Sequence, residues 1–60
     1  MNDNLQNMDR EIRKMREAAQ ELRRIALECG MPAGVKNADR ILASLEMLAL
    51  NISDPVSLEQ

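Results

Sequence analysis

LQNMDREIRKMREAAQELRRIALEC, residues 5–29, is the stretch that decides the fold. Its apolar side chains recur at alternating spacings of three and four residues, the pattern of a stripe along one α-helix and of a coiled-coil seam. The seam consists of Leu5, Met8, Ile12, Met15, Ala19, Leu22, Ala26 and Cys29. It predicts a first helix over about residues 4–29, ended by Gly30 because glycine tolerates the backbone conformation that terminates helices.

A second apolar segment follows a turn. Two glycines and a proline between residues 30 and 36 predict that turn, although Pro32 could also begin a helix. Asn37 is a suitable N-cap for a second helix over about residues 37–51, and Ser53, Asp54 and Pro55 predict a break before a tail, residues 52–60. The wide apolar face of this helix comprises Ala38, Ile41, Leu42, Leu45, Leu48, Ala49 and Ile52. The predicted fold is all-α, one helical-hairpin domain over residues 1–60 with a long helix, a short turn and a shorter helix.

The predicted helices differ in length, about 37 Å against about 22 Å at 1.5 Å per residue. The shorter helix would cover only the alanine-rich part of the seam, residues 18–26. A small chain also needs stabilisation beyond its core, and this one has a single cysteine and no histidine for a disulfide or zinc site. We therefore expect a homodimer, a four-helix bundle or partial coiled coil, with parallel and antiparallel association both open. The residues expected to self-associate are Leu5, Met8, Ile12, Met15 and Leu22.

Other apolar side chains fall outside the seam. Ala43, Met47 and Leu50 form a stripe on the far side of the second helix, and with Met31 they are the candidate surface for a protein partner. Within the seam, Met8 and Met15 are expected to be core residues. Cys29 is expected to be a small buried side chain near the turn rather than a reactive thiol.

Catalytic and metal-binding patterns are missing from the sequence. There is no histidine, no glycine-rich phosphate loop and no cluster of metal ligands. Glu17 and Glu21 lie one helical turn apart, but Arg13 and Arg24 flank them, which is typical of a solvated, salt-bridged face. We expect no enzymatic activity, no catalytic residue, no cofactor and no metal.

The charge distribution argues against a general attraction to nucleic acid. The net charge is −2, and six of the eight basic residues lie on the first helix among interleaved acids. No aromatic side chain is present to stack on bases. A dimer could nevertheless align basic residues from two chains along a phosphate backbone. The candidate nucleic-acid contacts are Arg10, Arg16, Arg23 and Arg24.

The sequence therefore predicts a class of protein rather than a named activity. The leading interpretation is a non-enzymatic protein–protein interaction module, acting as a regulator, adaptor or co-chaperone through its helix surfaces. The alternatives are a dimeric nucleic-acid-binding regulator and an obligate small subunit of a larger assembly. The first residues lack the apolar core of a signal peptide, and no apolar run approaches the roughly 18 residues of a membrane span. We expect a cytoplasmic protein with no membrane contact.

Overall fold

A computed structural model describes the backbone of residues 3–58 and the side chains of residues 3–52. Within that part of the chain there are two α-helices and no strand: α1, Asp3–Glu28, and α2, Pro32–Leu58. They pack side by side in opposite directions, and the Cα atoms span 46 × 17 × 11 Å. The predicted all-α helical hairpin is confirmed.

The turn is formed by only three residues, 29–31. Gly30 has a φ of 68°, which is the left-handed conformation. The Met31 N–H donates a hydrogen bond to the Ala26 carbonyl at 2.8 Å, and the Gly30 N–H donates to the Leu27 carbonyl at 3.3 Å. This pair of hydrogen bonds is the Schellman motif, which satisfies carbonyls at a helix C-terminus. The predicted role of Gly30 as the end of the first helix is therefore confirmed.

The second helix begins earlier than the sequence suggested. The predicted turn over residues 30–36 and the predicted N-cap at Asn37 were wrong, since α2 begins at Pro32. Proline suits the first position of a helix, where no N–H partner is needed, and the Met31 carbonyl accepts the Val35 N–H at 3.1 Å. Gly34 lies inside α2, where an added Cβ would be 3.0 Å from the Ala26 Cβ. The lack of a side chain at Gly34 therefore lets the two helices approach closely, and the residue does not form a turn.

The second helix also continues further than expected. The predicted break at 53–55 was wrong, because α2 continues to Leu58. The predicted tail over residues 52–60 was therefore wrong for residues 52–58, and Glu59 and Gln60 lie outside the described residues. The φ that a proline ring imposes is compatible with a helix, and Pro55 removes only one backbone N–H donor near the end of α2. The helices therefore contain 26 and 27 residues. Because they match in length, α2 runs alongside the N-terminal half of α1, where Ile12 is buried but Met8 and Met15 stay exposed.

The core between the helices is small. Its buried residues are Ile12, Ala19, Ala26, Ala38 and Leu45. Leu42, Ala49 and Ile52 of α2 pack against it while remaining partly exposed. Ile12 is only 3% exposed, so the protein's own second helix covers this residue, which had been expected to meet another chain. Ala19 and Ala26 are covered within the hairpin, as expected, whereas Ala18, which was expected to be covered with them, is exposed.

Replacement of Gly30 by alanine is expected to destabilise the hairpin by about 1–2 kcal/mol. A Cβ at this position would meet nothing within 4 Å, so the cost comes only from the positive φ. Chemical denaturation followed by circular dichroism measures the loss. Gly30→Asn is the matched control, because asparagine tolerates this conformation better and should lose less. Equal stability of Gly30→Ala and the unaltered chain would contradict the assigned role of the turn.

Candidate protein-interaction surface

The seam of α1 is divided between two environments. Ile12, Ala19 and Ala26, every second seam position, are buried against α2. Arg16 and Arg23 lie between these buried residues along α1 and are half-buried. The stripe that contacts α2 therefore has buried apolar residues and arginines in alternation. The remaining seam positions are rotated to one side of the hairpin. A helix with a single neighbour buries one narrow stripe, and half of the seam therefore stays in solvent.

The two sides of the hairpin differ in chemistry. On one side the Arg23 guanidinium Nε donates to the Asp39 carboxylate at 2.6 Å and joins the helices by an ion pair. On the other side a groove of about 520 Å³ runs between the helices, and Met8, Met15 and Leu48 are among its lining residues. Further apolar residues at helical spacing from Met15 and Leu48 extend this second side of the hairpin toward the turn. It comprises Met8, Met15, Ala18, Leu22 and Ile25 of α1 with Ile41 and Leu48 of α2, hereafter the apolar face.

The apolar face is exposed along its length. Its six large side chains, which exclude Ala18, are each between 42% and 50% exposed. The α2 edge carries uncharged polar residues, Asn37, Ser44 and Asn51, at heptad spacing. Glu11, seven residues before Ala18, also lines the groove and is paired with Lys14 at 3.2 Å. An exposed and mostly apolar patch bordered by polar groups is typical of a protein-binding surface.

The structure brings together some of the predicted self-association residues and separates others. Met8, Met15 and Leu22 lie on the apolar face. Leu5 is half-buried, and Ile12 is buried in the hairpin core. Met8 and Met15 are exposed in the single hairpin, and their burial in a seam between two chains stays a prediction. Cys29 is exposed, so the prediction that it is buried was wrong as well.

Three residues of the apolar face were not recognised from the sequence. Ile25 was assigned to no surface, whereas Ile41 and Leu48 were assigned to the wide face of the second helix and remain half-exposed. A signal for Ile25 did exist. Together with Ala18, it forms a second stripe of three- and four-residue spacings that includes Met15 and Leu22.

The candidate partner residues outside the seam do not form one surface. Met47 and Leu50 are exposed with Ala43 on the outer side of α2, where Met47 reaches 68%. Met31 instead lines a cavity of about 400 Å³ at the turn end, together with Leu27 and other residues. Ala43, Met47 and Leu50 are exposed, as their position on the far side of the second helix predicted, and Met31 lies apart from them.

Most of the arginines proposed for nucleic-acid contact are engaged with acidic side chains. Arg24 pairs with both Glu21 and Glu28, and its hydrogen bonds lower the pKa of the Glu21 carboxyl. Arg10 lies 3.7 Å from Glu11, and Arg23 is held by Asp39. Among the described residues, Arg16 has no carboxylate within ion-pair distance. One arginine per chain is a weak basis for phosphate binding.

In the part of the chain that the structure describes, no three metal-ligating side chains are grouped together, and no helix combines the length and apolar character needed to cross a bilayer. The described residues form a two-helix hairpin with an exposed apolar face. No protein-family model, curated protein or solved structure matches this chain.

Proposed function

We propose that this protein is a non-enzymatic protein–protein interaction module that binds helices of another polypeptide through the apolar face. The observation that carries the proposal is the apolar face itself. Six large apolar side chains lie half-exposed on one side of a hairpin whose other side carries the ion pair between Arg23 and Asp39. Burial of such side chains against a partner contributes roughly 25 cal/mol per Å², whereas exposure to water gains nothing.

The shape of the chain supports the same proposal. Its accessible surface is 4808 Å², compared with about 4,000 Å² for a compact monomer of this size. The radius of gyration is 14.2 Å, whereas about 10 Å is typical of a compact domain of this length. Two helices in one layer bury a single stripe each. A second layer of helices on the apolar face would provide the missing burial.

We propose a homodimer as the assembled form, in which two hairpins pack face to face as a four-helix bundle. The oligomer provides the stabilisation that a disulfide or metal gives other small domains. We further propose that the protein acts in the cytoplasm as a regulator, adaptor or co-chaperone. An obligate small subunit is a variant of the same proposal, in which a different chain covers the apolar face.

The test is affinity capture with a Leu22→Glu variant and a Leu27→Glu control. Both leucines are on α1 and are similarly exposed, 50% and 56%, but Leu27 lies outside the apolar face. The unaltered chain and Leu27→Glu, each tagged, should retain the same proteins from a lysate of the source organism, identified by mass spectrometry. Leu22→Glu should lose them, because a carboxylate would have to be buried.

Two results would contradict the proposal. Retention of the same proteins by Leu22→Glu would show that the apolar face is not the binding surface. Retention of neither a foreign protein nor an untagged copy of the chain would remove the interaction function. A salt series with duplex DNA and RNA covers the nucleic-acid alternative, for which binding should weaken steeply as salt rises. With one unpaired arginine among the four candidates, we expect no such binding.

A further inference from the structure

We infer that the apolar face carries an oxidation switch, in which hydrogen peroxide converts Met8 and Met15 to methionine sulfoxide and the oxidised face no longer binds a second copy of the chain. This inference rests on the proposed function and adds the regulation of the same surface. It holds for any direction of the second copy, because a chain that covers the face removes both side chains from water.

Met8 and Met15 belong to the half of the apolar face that lies away from the turn. They are one heptad apart on α1, and they are 44% and 46% exposed. Both line the groove of about 520 Å³ between the helices, together with Leu48 of α2. Water and a small oxidant therefore reach both side chains in the single hairpin.

The methionines of this chain lie on its surface, as far as the structure describes them. Met31 and Met47 are exposed like Met8 and Met15, and Met1 lies outside the described side chains. The buried residues of the described part of the chain are isoleucine, leucine and alanine only. Oxidation therefore changes the surface that the hairpin presents to a partner, while the core between α1 and α2 keeps its composition.

The reaction transfers one oxygen atom from hydrogen peroxide to each thioether. The sulfur attacks one peroxide oxygen, and an S–O bond forms as the O–O bond breaks. The departing hydroxide takes the proton of the transferred hydroxyl group and leaves as water. The sulfur loses two electrons, and the peroxide gains them. A reductase that oxidises two thiols to a disulfide restores the thioether and releases the oxygen as water, which makes the change reversible.

A sulfoxide on the apolar face opposes burial, because the product is polar where the thioether was apolar. Its oxygen accepts hydrogen bonds, but the other large side chains of the face are leucines and isoleucines, which donate none. Each buried sulfoxide without a donor should weaken association about five-fold or more, as other unpaired polar groups do. A two-fold dimer contains both methionines twice, so these effects multiply.

The test compares self-association before and after treatment with excess hydrogen peroxide. A Cys29→Ser background is used, because the exposed thiol of Cys29 would also react. After removal of the peroxide, sedimentation equilibrium over a concentration series gives the dissociation constant. Oxidation should raise this constant at least about 100-fold.

Two double variants in the same background locate the effect. Met8→Leu/Met15→Leu keeps the apolar volume of the face and the other three methionines, so peroxide should leave its dissociation constant nearly unchanged. Met31→Leu/Met47→Leu keeps Met8 and Met15 and should respond to peroxide as strongly as the parent. Equal responses of the two double variants would overturn the inference.

Two further measurements separate the face from the fold. Far-ultraviolet circular dichroism of the oxidised parent should match that of Leu22→Glu, which separates the chains without oxidation. A clearly lower helix content in the oxidised parent would show that oxidation damages the hairpin itself. Mass spectrometry of peptides should show slower oxidation of Met8 and Met15 in concentrated than in dilute samples, whereas the rate at Met47 stays constant. Concentration-independent rates at all three would contradict burial in a dimer.

The outcomes distinguish this inference from the proposed function. If the untreated chain is a dimer and oxidation leaves its dissociation constant unchanged, the inference is overturned and the homodimer stands. A stable monomer of the untreated chain at micromolar concentration overturns both the second copy and its switch. The affinity capture that depends on Leu22 then decides separately whether the apolar face binds a foreign protein.

Discussion

Replacement of Leu45 by alanine is expected to destabilise the hairpin by about 2–5 kcal/mol, the range for leucine truncation in a packed core. Leu45 is 5% exposed and belongs to the same cluster as Ile12 and Ala19. The alanines in that cluster have no longer side chains with which to refill the space. A single core in a chain of this size rarely contributes more than about 3–5 kcal/mol, so the variant should be largely unfolded. Urea denaturation followed by circular dichroism at a fixed protein concentration measures the change.

Leu50→Ala is the control for this prediction. Leu50 is on the same helix but is 56% exposed on its outer side, so the same truncation should change stability by roughly 0.5 kcal/mol or less. Protein concentration must be equal in all samples, because self-association adds to apparent stability. Similar losses in the two variants would show that Leu45 is not a central core residue.

Replacement of Leu22 by glutamate is expected to weaken self-association at least about 100-fold, equivalent to about 2.7 kcal/mol. A two-fold interface contains this residue twice, so each dimer would bury two uncompensated carboxylates. Within one hairpin, Leu22 is 50% exposed, and the helices should still form. Sedimentation equilibrium over a concentration series gives the dissociation constant, while far-ultraviolet circular dichroism reports whether the chain remains helical.

Leu27→Glu separates the effect of position from that of charge. It adds the same charge and removes the same side chain at a residue that is 56% exposed and lies away from the apolar face. We expect its dissociation constant to remain within a few-fold of that of the unaltered chain. Equal weakening by the two variants would indicate a general effect of net charge rather than a contact made by Leu22.

The hairpin could be predicted from the sequence because its signals are local. The three- and four-residue spacings predict α1, and Gly30 ends it through its own backbone conformation. The start of α2 depended on contacts that sequence spacing does not reveal. Gly34 looks like a turn residue in the sequence, but in the structure a Cβ there would crowd the Cβ of Ala26, eight residues earlier in the chain.

The candidate surface could be predicted only in part. Periodicity identified Met8, Met15 and Leu22 as one stripe with Ile12, but it could not determine how α1 rotates against its neighbour. That rotation depends on how Ile12, Ala19 and Ala26 pack against α2, which spacing along one helix does not reveal. It buries one half of the seam and exposes the other. A sequence pattern defines an apolar side of a helix more readily than the partner that covers it.

The three-residue turn also has a kinetic consequence. Because Gly30 reverses the chain at once, the first contact between the helices joins residues only eight positions apart, Ala26 and Gly34. A loop of that length closes in about 10–100 ns. Later contacts can then form one after another outward from the turn, and each one orders only a short further length of chain. Folding therefore needs no early contact between residues far apart in the sequence, which would cost much conformational entropy. A hairpin of this topology should fold faster than two copies meet at micromolar concentration, which makes the encounter of chains the slow step of assembly.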